Sequence, residues 1–209
     1  MRLTCAALAV LAFPFAGNAE PLEPTPGYFL GCDAEGNPIF CYVAAAGFTW
    51  AISGDRAVAG VFDQLAALPL LEPVVISGSY ETLNDSSADL DLTGLTRPGE
   101  DLYVGNLRAM QGRWQPKGEE TPFEVEIAGL DWIEIVQAGV AADFSISVGE
   151  ACADGVVPGG MAISLYRYGD DPGADACWQL EYIDDATMTL RDFMGDQGQV
   201  EFTHLPSSY

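Results

Sequence analysis

The chain has 209 residues, of which 31 are acidic and 8 are basic, and its formal net charge at pH 7 is −23. A field of this sign repels phosphate backbones and anionic lipid surfaces, so nucleic-acid binding and electrostatic membrane docking are disfavoured. A cationic partner is compatible with the charge. The acidic residues are spread through the chain and form no block, which favours solubility of an exported protein as the simpler explanation.

The first twenty residues, MRLTCAALAVLAFPFAGNAE, are typical of a secretory signal peptide. One arginine precedes an apolar run from Cys5 to Phe15, and small residues lead to a predicted cleavage site after Ala19. The run is too short for a spanning helix, which needs roughly 20 apolar residues. Cys5 stands at the start of the run and not at its end, which argues against a lipid anchor. We therefore expect residues 1–19 to be removed, and the mature protein to be soluble and periplasmic or extracellular.

Four cysteines remain after this cleavage, and in an exported chain an even number predicts disulfides because no thiol pool keeps the cysteines reduced. Among the possible connectivities we choose the sequential one, Cys32 with Cys41 and Cys152 with Cys177, which keeps each bridge within one half of the chain. Metal ligation by these cysteines is disfavoured. Their spacing lacks the close pairs of a zinc site, and the chain's single histidine is His204.

The first half of the chain contains several strand-like runs, and their sequences are FCYVAAA, FTWAIS, EPVVISGSYETL, ADLDLTGL and DLYVGNL. Between the second and third runs, Asp55 is predicted to cap one helix near 56–68 that Pro69 ends. We therefore expect residues 27–109 to form a small α+β or partly open β-barrel domain, preceded by an extended, flexible leader over 20–26. The segment VVISGSYETL, followed by an acidic turn, resembles an oligonucleotide- and oligosaccharide-binding barrel.

From residue 112 onward, apolar and polar residues alternate in short runs separated by turns rich in Gly, Pro and Asp. The alternation predicts eight strands with one apolar and one polar face. Their predicted bounds are 112–116, 123–128, 130–137, 141–148, 161–168, 176–183, 187–193 and 199–205. Short connections favour an up-and-down antiparallel barrel, since closure removes exposed edges. This domain is predicted to span 110–206, with a tail over 207–209.

The head of this second half, Gly112-Arg113-Trp114, resembles the Gly-x-Trp signature on the first strand of lipocalin-like barrels. The resemblance covers residues 110–206. It implies that the indole plugs one end of the barrel and that the glycine lets the chain pass close beside it. A basic residue near the last strand usually lies against the tryptophan in that family, and His204 or Arg191 would take that place here.

An up-and-down order creates a difficulty for the second disulfide. It places Cys152 and Cys177 at opposite ends of the barrel. The loop over 149–160 would therefore have to double back along the barrel to join them.

Catalytic motifs are scarce. His204 lies on a predicted strand beside apolar neighbours, which is more typical of a core edge than of a catalytic base, and no GxSxG elbow occurs. Adjacent carboxylates fall in predicted turns, where solvation explains them. These pairs are Asp170 with Asp171, Asp184 with Asp185, and Glu119 with Glu120.

The run NDSSADLD supplies oxygen donors suited to calcium from Asp85, Asp89 and Asp91. It lacks the glycine and the terminal glutamate of the helix-loop-helix calcium motif, and a hairpin turn explains the same composition. We expect neither a metal centre nor a cofactor.

The aromatic residues are the remaining candidates for binding. Those that would contact a ligand in the barrel are Trp114, Trp178, Tyr182 and His204. An eight-stranded interior is only just filled by its own side chains, and most inward residues here are large, so we expect a packed core. The sequence therefore favours a non-enzymatic exported binding module. It does not identify the partner, and the acidic charge makes a basic protein, such as a cationic envelope protein, the candidate. The alternatives are a carrier of a small apolar ligand in the barrel and a hydrolase with an acidic site.

Overall fold

The structure is a computed structural model, and a defined part of the chain is described. The described residues are 19–33, 35–82, 86–118, 122–152, 155–156, 159–168, 176–193 and 198–206. The predicted signal peptide up to residue 18, the predicted tail, Asp85, and the pairs Glu119 with Glu120 and Asp170 with Asp171 lie outside these residues. Within the described ranges, no helix has the length and apolar character needed to cross a membrane.

The described residues are mainly β-structure. The first half contains β1 Glu20–Asp33, β2 Phe40–Ala45, β3 Phe48–Ser53, β4 Pro73–Thr82 and β5 Ser87–Thr96. The second half contains β6 Gly112–Pro116, β7 Phe123–Ala128, β8 Asp131–Val136, β9 Gly139–Gly149, β10 Ala151–Cys152, β11 Gly155–Val156, β12 Met161–Arg167, β13 Ala176–Ile183, β14 Thr187–Asp192 and β15 Gln199–Leu205. The helices are α1 Val61–Ala66 and α2 Val104–Ala109, with a 3₁₀ turn at Gly54–Arg56.

The first half closes into a five-stranded barrel in the order β1-β2-β3-β5-β4, in which β3 and β5 are parallel. A small β-barrel with one helix, here α1 between β3 and β4, is therefore confirmed for the first half, and the barrel is closed instead of partly open. The resemblance to an oligonucleotide- and oligosaccharide-binding barrel stays a prediction. Strand order describes the fold and fixes no ligand.

The predicted leader over 20–26 is wrong, because these residues are the first half of β1. They pair with β4, from Glu20 opposite Tyr80 to Pro26 opposite Val75. Pro24 would interrupt a regular ladder because it has no N–H, and the register shifts between Leu22 and Thr25, where it lies. The pairing closes the barrel, so the first domain begins at residue 20.

The predicted helix near 56–68 is shorter than expected. Its first residues are held extended beside β5, because Ala57 bridges Leu92 and the Val58 N–H donates to the Leu92 carbonyl. Asp55 caps no helix, and its carboxylate accepts the Ser53 hydroxyl at 2.6 Å. α1 instead begins after Gly60, whose φ is 80°.

The run DLYVGNL at 101–107, expected as a strand, leads into α2. The Asp101 carboxylate accepts the N–H groups of Tyr103 and Val104, each at 2.8 Å. Asp101 thus satisfies the amides of the N-cap residue Tyr103 and of Val104, the first residue of α2, and this local bonding competes with strand pairing. The local bonding outweighs the β propensity of the short apolar run.

The second half closes into an eight-stranded barrel in the order β6-β7-β8-β9-β12-β13-β14-β15, and every neighbouring pair is antiparallel. The predicted up-and-down barrel is confirmed. β9 begins at Gly139 because Gln137 and Ala138 both adopt positive φ in a two-residue turn. Large buried side chains fill the interior, among them Trp114, Ile127, Trp132, Phe144, Met161, Leu190 and Phe202.

One end of this barrel is closed around Trp114, whose ring centroid lies 4.7 Å from that of His204. The indole N–H donates to the Met110 carbonyl at 2.8 Å. Of the two residues expected against the indole, His204 takes the place, and Arg191 pairs with Glu181 instead. Kinship with lipocalin-like barrels stays a prediction, since it rests on the Gly-x-Trp signature.

Both disulfides have the predicted pairing, Cys32 with Cys41 and Cys152 with Cys177. The loop after β9 does double back: β10 and β11 pair with each other, and Cys152 packs on the barrel wall beside Ala162 and Cys177. The second bridge therefore fastens this loop to β13.

The two barrels share apolar contacts at the closed end. Leu71 of the first barrel is fully buried in the core of the second, together with Leu107 and Met110. Glu72 accepts hydrogen bonds from both Arg97 and Arg108, which ties the first barrel to α2 and to the segment before it. These contacts hold the two barrels together, so residues of both can line one surface.

We predict that Gly112→Ala will destabilise the protein more than Gly118→Ala. Both glycines have positive φ, 120° and 84°, and a side chain there costs roughly 1–3 kcal/mol in strain. A Cβ at Gly112 would lie 2.5 Å from His204 Nε2, whereas one at Gly118 meets nothing within 4 Å. Chemical denaturation should show an excess loss of about 1–3 kcal/mol for Gly112→Ala.

The cause of this excess can be isolated in a His204→Ala background, where the clash is absent and the two alanine variants should cost similar amounts. Equal losses in the wild-type background would contradict the close packing of the glycine against the histidine.

Candidate functional site

A cleft of about 650 Å³ lies between the two barrels. Its floor is the outer face of β9 and β12, and its opposite wall is the β2–β3 turn with the start of β5. We call it the inter-barrel cleft. Ligand pockets usually measure roughly 300–1,000 Å³ and often lie at domain interfaces, so this cleft is the first candidate site.

The floor of the inter-barrel cleft is a sheet surface of tyrosines and serines. Tyr166 lies directly opposite Ser145 across the β12–β9 pair. Tyr168 and Ser147 also line the cleft, each two residues further along its segment. Same-face residues on a strand are about 7 Å apart, so the surface presents two phenol rings beside two hydroxyl groups. Tyr166 and Tyr168 are each 45% exposed.

The opposite wall is held rigid by an aromatic stack. The Phe48 ring, which lines the cleft, lies 5.4 Å from the buried Trp50 ring, and Trp50 contacts Tyr80 edge-on at 5.0 Å. The Trp50 indole N–H donates to the Ala45 carbonyl at 2.9 Å. Because this wall is ordered before any ligand arrives, binding would lose little side-chain entropy.

Tyr168 is fixed at the floor by Asp131, whose carboxylate accepts the phenol hydroxyl at 2.8 Å. Burial and then this hydrogen bond raise the pKa of Tyr168 to about 12, while the Ser145 hydroxyl acts in the opposite direction. The phenol is therefore neutral at physiological pH, and its ring is the part presented to the cleft.

The described lining of the inter-barrel cleft contains Arg167 but no Asp or Glu. The Arg167 guanidinium lies over the Phe144 ring, 5.2 Å from its centroid. It also acts on the half-buried Glu134. Burial raises the pKa of Glu134, and the Trp132 indole N–H and Arg167 partly oppose that rise. Arg167 is thus engaged with groups of the barrel.

A second depression, of about 500 Å³, lies where α2 meets the closed end of the second barrel. We call it the closed-end groove. Leu102 and Tyr182 line it and are 76% and 53% exposed, whereas Met161 and Leu180 beneath them are buried. Glu150 and Glu181 line the same groove, which therefore combines apolar and acidic side chains.

The four sequence-predicted ligand residues do not come together in one site. Trp114 and His204 form the barrel closure, and Trp178 is half-buried on β13 against the barrel core. Tyr182 alone of the four lines a depression, the closed-end groove.

The carboxylates considered for calcium have another partner. Asp89 and Asp91 bind the Arg56 guanidinium at 2.8 and 2.7 Å, and Asp85 is outside the described residues. In the described part of the chain, no three His, Cys, Asp or Glu side chains are grouped as metal ligands.

The sequence pattern predicted in part that the residues of the inter-barrel cleft face outward. Ser145 and Ser147 alternate with apolar residues and were expected to face water, and Tyr166 and Tyr168 stand at the end of a predicted strand. Alternation shows that these side chains face outward. It does not show that the turn before Phe48, about a hundred residues earlier in the chain, lies opposite them.

We predict that the Tyr168 phenol ionises with a midpoint near its raised pKa of about 12 instead of the ordinary 10.0. A raised folded-state pKa stabilises the fold fully below pH 10, and this contribution is lost as pH rises toward 12. Difference absorbance titration of wild type against Tyr168→Phe isolates this phenol. Asp131→Asn should lower the midpoint, and a midpoint that is the same with and without the carboxylate would contradict the assignment.

No protein-family model, curated protein or solved structure matches this chain. Its function is accordingly inferred from the chemistry of the inter-barrel cleft and the closed-end groove.

Proposed function

We propose that this protein is an exported, non-enzymatic binding protein whose inter-barrel cleft holds a neutral, hydroxyl-rich ligand of the saccharide class. The observation that carries the proposal is the surface formed by Tyr166, Tyr168, Ser145 and Ser147, which faces Phe48 across the cleft. Two disulfides within the halves of the chain support an oxidising compartment.

A saccharide ring matches this surface because both combine a flat apolar face with hydroxyl groups beside it. Its C–H groups form a flat apolar face that packs on a phenol ring, and its hydroxyls lie at the rim. Serine and threonine hydroxyls both donate and accept hydrogen bonds, so they suit a rim of sugar hydroxyls. Ser147 and Thr49 line the cleft on opposite walls.

Other ligand classes fit less well. The net charge of −23 disfavours anions, and the described lining gives a cation no carboxylate partner. A wholly apolar ligand would cover the hydroxyl groups without hydrogen-bonding them, which costs free energy. The alternative of an apolar carrier within the second barrel gains no support, because large side chains such as Trp132 and Phe144 fill the interior.

The test is titration calorimetry of the mature chain with a panel of neutral oligosaccharides. We expect saturable binding of at least one of them, and Tyr166→Ala should weaken it by about tenfold because a ring contact is lost. Ser147→Ala should weaken it too, since the hydroxyl partner is removed without adding bulk.

The matched control is Tyr182→Ala, which removes an equally exposed phenol from the closed-end groove and should leave saccharide affinity unchanged. Failure of the whole panel to bind, or equal affinity of wild type and Tyr166→Ala, would overturn the proposal.

A further inference from the structure

We propose that the closed-end groove docks a cationic, amphipathic segment of a partner protein. The inference rests on the groove's own side chains and is independent of the ligand assigned to the inter-barrel cleft. In this groove the exposed side chains of Leu102 and Tyr182 are accompanied by carboxylates.

The apolar part of the groove is more exposed than folding alone requires. Leu102 is 76% exposed, although Leu107 in the following helix is fully buried. Leu102 and Tyr182 line the groove together with Met161 and Leu180, which are nearly fully buried. An apolar strip of this kind, rimmed by polar groups, is typical of a protein interaction site.

Hydrogen bonds hold the backbone on either side of Leu102 and the phenol ring of Tyr182. Asp101 accepts the amides of Tyr103 and of Val104, the first residue of α2, and also the Tyr28 hydroxyl at 3.0 Å, which holds the backbone on either side of Leu102. The Tyr182 hydroxyl donates to Asp184 at 2.6 Å, and Asp184 in turn accepts the amides of the turn that follows it. A preordered strip loses little entropy when a partner binds.

Carboxylates surround this strip. Glu150 lines the groove, and Asp185 lies in the turn directly after Ile183, another lining residue. Both are exposed, and no ion pair with a described residue is formed by either. Glu181 also lines the groove and is oriented by Arg191. A segment that offers leucine-like side chains next to lysine or arginine complements both features.

The negative charge of the protein favours a cationic segment over the other partners that could cover an apolar strip, a second copy of the chain or an anionic membrane. A second copy of the chain would bring another net charge of −23, and like-charge juxtaposition opposes such a dimer. An anionic membrane surface is repelled for the same reason. The described cations that could neutralise the acids are bound within the chain, as Arg97, Lys117 and Arg191 show.

The experiment uses the mature chain and a fluorescent peptide of leucine and lysine with helical amphipathic spacing. We expect saturable binding by fluorescence anisotropy, weakening as salt rises from about 0.05 M to about 0.5 M because the charge contacts are screened. The matched peptide of leucine and glutamate should not bind. Leu102→Ser should weaken binding about tenfold, since an apolar contact is lost from an exposed position where folding is unaffected.

Charge variants show whether the peptide binds at the closed-end groove or is attracted only by the net negative charge of the protein. Glu150→Gln with Asp185→Asn should weaken binding by about three- to tenfold. Glu23→Gln with Asp63→Asn removes the same amount of charge from exposed positions in the first half of the chain. This pair should change the peptide affinity little. Tyr166→Ala should leave peptide affinity intact, so this inference and the saccharide proposal can fail separately.

Three results would overturn the inference. Equal losses for both charge pairs would mean that the peptide senses only net charge. Unchanged affinity in Leu102→Ser would remove the apolar strip from the interface. A dimer in sedimentation that Leu102→Ser dissociates would make a second copy of the chain the occupant.

Discussion

The packing of Trp114 between His204 and the Met110 carbonyl is the contact on which the rest of the structure depends. It joins the first and last strands of the eight-stranded barrel at one end and fixes α2 directly before them. Gly112 makes the contact possible, since no Cβ fits beside the histidine ring. The closed end is therefore both the seam of one barrel and the attachment point of the other.

Both candidate sites follow from this attachment. α2 brings Leu107 and Met110 into one core and holds Glu72 of the first barrel through Arg108. With the barrels fixed side by side, the outer face of β9 and β12 becomes the floor of the inter-barrel cleft. The start of α2 projects Leu102 over the closed-end groove. One set of apolar contacts therefore positions two surfaces of different chemistry.

The acidic charge is distributed so that the two surfaces differ. Within the described residues, ion pairs engage most of the cations internally, while Glu150 and Asp185 stay exposed near the closed-end groove. The described lining of the inter-barrel cleft instead offers hydroxyls and phenol rings. A protein with a single overall charge can in this way present one neutral and one acidic surface.

The sequence alone determined the eight-stranded barrel, because it depends on period-two alternation and local turn chemistry, which are written along the chain. The cysteine pairing was one choice among several from the sequence, and the closure by Gly112 and Trp114 came from a resemblance; the tertiary structure decided both. The tertiary structure decided that residues 20–26 complete the first barrel, because long-range pairing with β4 outweighed local propensity. It also determined which residues come together in the two candidate sites. Alternation places Tyr166 on an outer face, but only the packing of one barrel against the other sets Phe48 opposite it.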